Sequence, residues 1–185
     1  GTLISDGETV KIAGGTGITT AMSGDTMTIT ASASANTGDI TFTGGTLAAG
    51  VAGVSLDEAV IGGGDFTIQG AEDLTLSGVV SGTGDITVDF DADGTTLSLT
   101  GANAFTGDLL IDQGRVSLDG GAALDDAGTV GFGGEEAGTL VLAADETIGA
   151  LAGGDAADGI DLGASTLTLG GAAETAAAFG GVISG

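Results

Sequence analysis

From residue 36 onward the chain repeats one local pattern, in which short segments alternate apolar and polar positions and are set apart by glycine. Ile40-Thr41-Phe42, Phe66-Thr67-Ile68, Leu74-Thr75-Leu76, Ile86-Thr87-Val88, Leu97-Ser98-Leu99, Val116-Ser117-Leu118, Leu140-Val141-Leu142 and Leu167-Thr168-Leu169 each set two apolar side chains on one face. A period of two predicts strands. Strands this short cannot stand alone, but stacked in register at about 4.8 Å they enclose a common apolar interior. The pattern predicts an all-β fold, a Gly-rich parallel β-helix (β-solenoid) with short strands.

Residues 1–35 have a different texture. Thr9-Val10-Lys11-Ile12, Gly14-Gly15-Thr16-Gly17-Ile18 and Thr26-Met27-Thr28-Ile29-Thr30 read as short strands joined by glycine turns, with Ser23-Gly24-Asp25 as the turn before the last. The stretch from Ala31 to Asn36 marks a boundary. The chain thus divides into an N-terminal β segment, 1–35, suited to an inter-subunit strand or a cap, and a solenoid, 36–185. Gly78-Val79-Val80-Ser81-Gly82 recurs as Gly181-Val182-Ile183-Ser184-Gly185, and Leu74-Thr75-Leu76-Ser77-Gly78 recurs as Leu167-Thr168-Leu169-Gly170-Gly171. The two offsets differ by ten residues, which assigns an insertion to 172–179. The Ala-rich stretches 48–59 and 172–179 fit either loops or short helical turns.

Composition narrows the picture. Of 185 residues 42% are hydrophobic, yet the aromatics are six Phe with no Trp or Tyr, so the core is built from stacked Leu, Ile, Val and Ala. Thirty-nine Gly and no Pro describe a chain that turns often and keeps every backbone N–H available for a ladder. Twenty-six acidic residues face only Lys11 and Arg115, a formal charge of −24 that repels phosphate backbones and anionic membrane surfaces. Nucleic acid is therefore not an expected partner. The same surplus suits surroundings rich in mobile cations, since at ~1 M salt the Debye length falls to about 3 Å. No apolar run approaches the ~18 residues of a membrane span, so membrane insertion is not expected. The chain opens on Gly1 rather than Met, as expected of a processed or excised segment. Cysteine is absent, which removes disulfides and thiolate metal sites.

Candidate chemistry is sparse. With neither His nor Cys, and one Lys and one Arg, the usual general bases, nucleophiles and oxyanion donors are missing, so the chain is not expected to be an enzyme. The carboxylate pairs Asp57/Glu58 and Asp125/Asp126 read as solvated turn residues rather than a glycosidase pair. The sharpest constellation is Asp89-Phe90-Asp91-Ala92-Asp93-Gly94, carboxylates at alternate positions before a glycine, which makes Asp89, Asp91 and Asp93 candidate calcium ligands. Its twelfth position is Thr100 rather than Glu, so it is not an EF-hand. The competing reading is a strand with Ile86, Val88, Phe90 and Ala92 inward and the carboxylates outward, ending at the turn. Gly14-Gly15-Thr16-Gly17 and Gly62-Gly63-Gly64 lack the Lys and helix of a phosphate loop.

The run Leu97-Ser98-Leu99-Thr100-Gly101-Ala102-Asn103-Ala104-Phe105-Thr106-Gly107, followed by Ile111, Gly114, Val116 and Leu118, resembles the autotransporter-associated β-strand repeat. Thr147-Ile148-Gly149-Ala150-Leu151-Ala152-Gly153, Leu162-Gly163 and Thr166 to Gly171 resemble the segment that follows it in such passengers. Ala104, Phe105 and Arg115-Val116 depart from that repeat's usual Thr, Tyr and Thr-Leu. The resemblance covers roughly 70–185 and implies a right-handed β-helix carried on a bacterial surface as a stalk or adhesin scaffold. Residues 13–20 and 23–29 are instead similar to segments of phage tail fibres.

These readings converge on a secreted or cell-surface structural protein, a building block of an extracellular fibre or adhesin stalk. A phage tail-fibre segment is the alternative. A glycan-binding module ranks third, because aromatic stacking platforms are scarce. Neither terminus resembles a polar cap, and Thr2-Leu3-Ile4-Ser5 and Val10-Lys11-Ile12 offer strands to a neighbour. Expected partners are copies of the chain, joined head to tail by β-strand addition, or other surface or matrix components.

Overall fold

The computed structural model describes residues 38–120, 123–133, 136–170 and 178–185, together with the strands Lys11–Ile12, Ile18–Ser23 and Thr26–Ala31. The chain winds as a β-solenoid of about six turns, and the described residues contain no helix. Strands Lys11–Ile12 (β1), Ile18–Ser23 (β2) and Thr26–Ala31 (β3) precede it. The first turn is Ile40–Phe42 (β4), Thr46–Ala49 (β5) and Val54–Leu56 (β6); the second is Val60–Gly62 (β7), Phe66–Gly70 (β8) and Leu74–Leu76 (β9). Val80–Gly82 (β10), Ile86–Phe90 (β11) and Thr96–Leu99 (β12) form the third, and Ala104–Phe105 (β13) with the long Leu109–Leu118 (β14) the fourth. The fifth has Thr129–Phe132 (β15) and Gly138–Leu142 (β16), and the sixth Glu146–Ile148 (β17), Ala150–Gly153 (β18) and Gly159–Asp161 (β19). Leu167–Leu169 (β20) and Val182–Ser184 (β21) belong to the turn that follows.

Three parallel ladders form the walls, each strand pairing with its counterpart one turn away. The first face runs β4-β7-β10-β13 and, separately, β17-β20. The second carries β5, β8, β11, the first half of β14, β15 and β18; the third carries β6, β9, β12, the second half of β14, β16, β19 and β21. Alternation on each strand turns one set of side chains inward, where register stacks like on like. One column on the third face reads Val54, Leu74, Leu97, Val116, Leu140, Ile160 and Ile183. Another, on the second, reads Leu47, Ile68, Val88, Ile111 and Phe132. Each buried aliphatic side chain contributes roughly 1.5–3 kcal/mol. Phe42 and Phe66 stack across a corner at 4.7 Å between ring centroids.

Glycine sets how closely turns approach at the corners. A Cβ on Gly84 would collide with the backbone of Gly64 and Asp65, and one on Gly107 with the backbone of Gly84 and Asp85. Gly114 has φ +99°, which lets β14 bend from the second face to the third without breaking.

Each of the eight alternating segments lies within a strand, and the all-β solenoid reading is the fold observed. Three details of the sequence reading change. The strand at 86–90 stops at Phe90, so Ala92 is exposed in the following turn rather than inward. Gly78-Val79-Val80-Ser81-Gly82 places β10 on the first face, whereas Gly181 to Gly185 places β21 on the third. That match is therefore not a structural repeat; the true period is one turn, from 19 residues for Leu97 to Val116 to 24 for Val116 to Leu140. The stretch 48–59 ends β5, turns at 50–53 and enters β6 with no helix. Within the first segment Lys11–Ile12 is paired, antiparallel, with β4 of its own chain. Segments 13–17 and 171–177, which bear on the reading of a strand at 14–18 and on the insertion, lie outside the described residues.

The two ends of the solenoid differ. At the N-terminal end β1 covers β4 antiparallel and β3 covers β5, with β2 antiparallel on β3, and the first turn's Ile40, Phe42, Leu47 and Leu56 are buried. At the other end Ile160 is 1% exposed beneath Ile183, while Ile183 itself is 55% exposed, and Val182 and Leu169 are exposed likewise.

Candidate functional site

The outward positions give each wall its chemistry. On the second face Asp65, Asp85 and Asp108 stand one above another at a corner, each Oδ1 accepting the N–H of the next turn: Asp85 N at 2.9 Å, Asp108 N at 2.8 Å and Thr129 N at 3.2 Å. Beside them Thr46, Thr67 and Thr87 stack in register. The Asp ladder ties successive turns together where the strands have not yet begun. Its signal in the sequence is Gly-Asp-apolar at 64–66, 84–86 and 107–109, one turn apart. The third face carries Ser55, Thr75, Ser98 and Ser117 in one column, with Arg115 next to it.

Asp89 points outward from β11, and Asp91 and Asp93 lie in the exposed turn after it. Asp93 accepts the Nε2–H of Gln113 at 2.9 Å. Pairing steps from Val88 opposite Ile111 to Asp89 opposite Gln113, so Asp112 is the extra residue of a bulge. Burial, with the charge of Asp89 nearby, holds the Asp112 carboxyl above its ordinary range. Among the described residues no group of three or more Asp, Glu, His or Cys side chains is arranged to hold a metal ion, so Asp89, Asp91 and Asp93 are not brought together as a ligand set.

The two carboxylate pairs separate in character. Glu58 is buried at the corner between β6 and β7 and hydrogen-bonded to exposed Asp57; burial first, then the neighbouring charge and hydrogen bond of Asp57, pushes the Glu58 carboxyl up. Asp125 accepts the N–H of Ala127 within its own turn at 2.9 Å, and Asp126 is exposed. Five of the six Phe are buried, and the sixth, Phe179, is half-buried against Phe132 at 5.0 Å, so none forms an exposed stacking platform.

One arrangement has no counterpart in the sequence reading. Among the described residues of the fifth turn the first face has no strand; Ala123–Leu124 passes there, buried, between two buried polar side chains. Asn103 below donates from Nδ2 to Ala123 O at 2.7 Å and accepts Val80 N–H at 2.8 Å. Glu146 above accepts Ala123 N–H at 3.0 Å and Leu124 N–H at 3.3 Å. The available signal was a polar residue where the inward column demands an apolar one: Asn103 follows Val60 and Val80, since Ala104 is opposite Ser81.

No protein-family model matches the chain, and no curated protein and no solved structure is detectably similar to it.

Proposed function

We propose that the chain is a structural rod, a building block of an extracellular fibre or adhesin stalk at a cell surface. The observation that carries this reading is the unbroken inward column from Val54 to Ile183, stacked through every turn, with hydroxyl and carboxylate side chains outside. Such a quasi-one-dimensional stack transmits length and stiffness, because each turn contacts only its neighbours. The acidic walls keep rods apart at low salt and let them approach where cations are abundant.

Assembly with further copies would proceed by β-strand addition at the end where β20 and β21 expose Leu169, Val182 and Ile183. Lys11–Ile12 pairs with β4 along one edge and ends its sheet, so its other edge is the one that would meet such a strand. Electron microscopy of the purified chain in salt with calcium, beside a sample in chelator, tests the proposal. Fibres with an axial repeat of one subunit support self-assembly, and their loss in chelator makes the acidic walls cation-bridged contacts. A trimer of interwoven chains would replace this reading with a phage tail fibre, and a compact particle shorter than the stacked turns require would overturn the rod itself.

A further inference from the structure

Four aspartates in the chain precede glycine: Asp6, Asp93, Asp119 and Asp158. The dipeptide carries its own chemistry, because glycine puts no Cβ in the way of its own amide nitrogen as that nitrogen approaches the preceding carboxyl. Asp6–Gly7 lies outside the described residues, and the fold gives the other three pairs different surroundings.

Asp93 and Gly94 are the central residues of the turn from β11 to β12, which is closed by Thr95 N–H on Ala92 O at 3.0 Å, and both are exposed. A Cβ at Gly94 would meet nothing within 4 Å, and among the described residues its N–H finds no acceptor. The Asp93 carboxyl is met by the Nε2–H of Gln113 on Oδ1. Asp158 is the opposite case. It is 4% exposed, its Oδ1 accepts Gly138 N–H at 2.8 Å, its Oδ2 accepts Asp155 N–H at 2.7 Å, and Gly159 is held in the ladder between Thr139 and Val182. Asp119 is exposed but tied: its Oδ1 accepts the Ser117 hydroxyl at 2.7 Å, its N–H bonds Leu99 O, and Gly120 O accepts Ala123 N–H.

We propose that Asp93–Gly94 is a site of spontaneous backbone modification, at which Asp93 becomes isoaspartate, and that the fold holds the chemically identical pair Asp158–Gly159 unreactive. The Gly94 nitrogen attacks Cγ of the neutral Asp93 carboxyl; the N–Cγ bond forms, a Cγ–O bond breaks, and the hydroxyl leaves with the amide proton as water. Water then adds to the former main-chain carbonyl of the succinimide and breaks its bond to nitrogen, leaving the chain linked through Cγ with a carboxylate on Cα. One water leaves and one enters, so no oxidant or reductant takes part and the mass is unchanged. Attack requires the Asp93–Gly94 peptide to rotate, which an exposed turn permits and a paired strand does not. The added backbone atom has room outward, where Gly94 faces open space, while buried Thr95 anchors the start of β12 by accepting Arg115 N–H. The partner class that recognises the product is an isoaspartyl methyltransferase, which esterifies the new carboxylate.

The full chain, incubated in mildly acidic buffer beside a sample unfolded in urea, is digested with pepsin, and its isoaspartate is located by methyltransferase labelling and peptide fragmentation. In the folded sample label is expected first at Asp93, at a rate close to that of the unfolded chain. At Asp158 it is expected to be slowed at least about tenfold, because two carboxylate hydrogen bonds must open before attack. Gly94→Ala adds a methyl group in open space, leaves the turn folded, and is expected to slow labelling at Asp93 several-fold by crowding the attacking nitrogen. Label at Asp119 or Asp158 ahead of Asp93 in the folded chain, equal folded-to-unfolded ratios at Asp93 and Asp158, or an unchanged rate in Gly94→Ala overturns the proposal.

Discussion

Gly84→Ala adds one methyl group at a corner where two turns already touch through backbone. The new Cβ would lie within contact of Gly64 O and C and 2.9 Å from Asp65 N. None of these atoms belongs to a side chain that could swing away, so the second and third turns must part at this corner. Parting them strains the bond from Asp85 N to Asp65 Oδ1 and the pair from Thr83 N and Gly84 N to Gly62 O. Overpacking of this kind costs about 1–3 kcal/mol, and each intramolecular hydrogen bond lost adds about 1 kcal/mol. Taking about 3 kcal/mol, and roughly 2–4 °C per kcal/mol for a chain of this size, the melting temperature is expected to drop by about 6–12 °C. Gly94→Ala supplies the control, because a Cβ there meets nothing within 4 Å. It is expected to stay within about 0.5 kcal/mol of wild type. With no Trp or Tyr in the chain, far-UV circular dichroism is the suitable probe. Equal melting temperatures for the two variants would refute the claim that the glycine column sets the spacing of the turns.

Two further expectations follow from the packing and the charges. Leu97→Ala empties a fully buried place in the middle of the third-face column and is expected to cost about 2–5 kcal/mol, whereas Ile183→Ala, in the same column but half exposed, should cost under about 1 kcal/mol; urea unfolding that ranks them equally would contradict the stacking. Glu58, Asp112 and Glu146 all titrate above their ordinary range because burial disfavours their charge, so the stability they contribute is present below the unfolded-chain values and is lost as pH rises through the folded ones. Melting temperature is accordingly expected to rise on acidification from pH 7 toward pH 5, and a fall over that interval in a calorimetric series would reject it.

The difference between the two ends of the solenoid bears on assembly. A parallel rung stacked on another presents the same edge again and can be extended without limit, whereas an antiparallel strand presents a different edge and stops the repeat. β1 and β2 supply such strands at the N-terminal end. That end therefore presents an antiparallel edge, while β21 continues the parallel ladder as it stands.

What the sequence determined by itself was local and additive. Alternation at 74–76, 86–88 and 97–99 specifies strands and their inward residues, because a period of two leaves one face apolar whatever the partner. Glycine abundance without proline marks frequent corners that interrupt no ladder. The strands at 46–49 and 60–62 escape that signal, since Thr-Leu-Ala-Ala hardly alternates and Val-Ile-Gly has a single apolar residue that faces inward. Only the tertiary structure decided which turn lies on which. Register, rather than sequence likeness, pairs Val182 to Ser184 with Gly159 to Asp161 and sets Val80 to Gly82 on another wall. The same holds for the acidic residues, whose roles are indistinguishable in one dimension. Asp65 and Asp85 become rungs of a ladder, Asp93 meets Gln113, and Glu146 is drawn inside, because the turn one period away offers each carboxylate a different amide. A neighbour 19–24 residues distant is fixed by the winding of the chain, and that winding is a property of the whole stack.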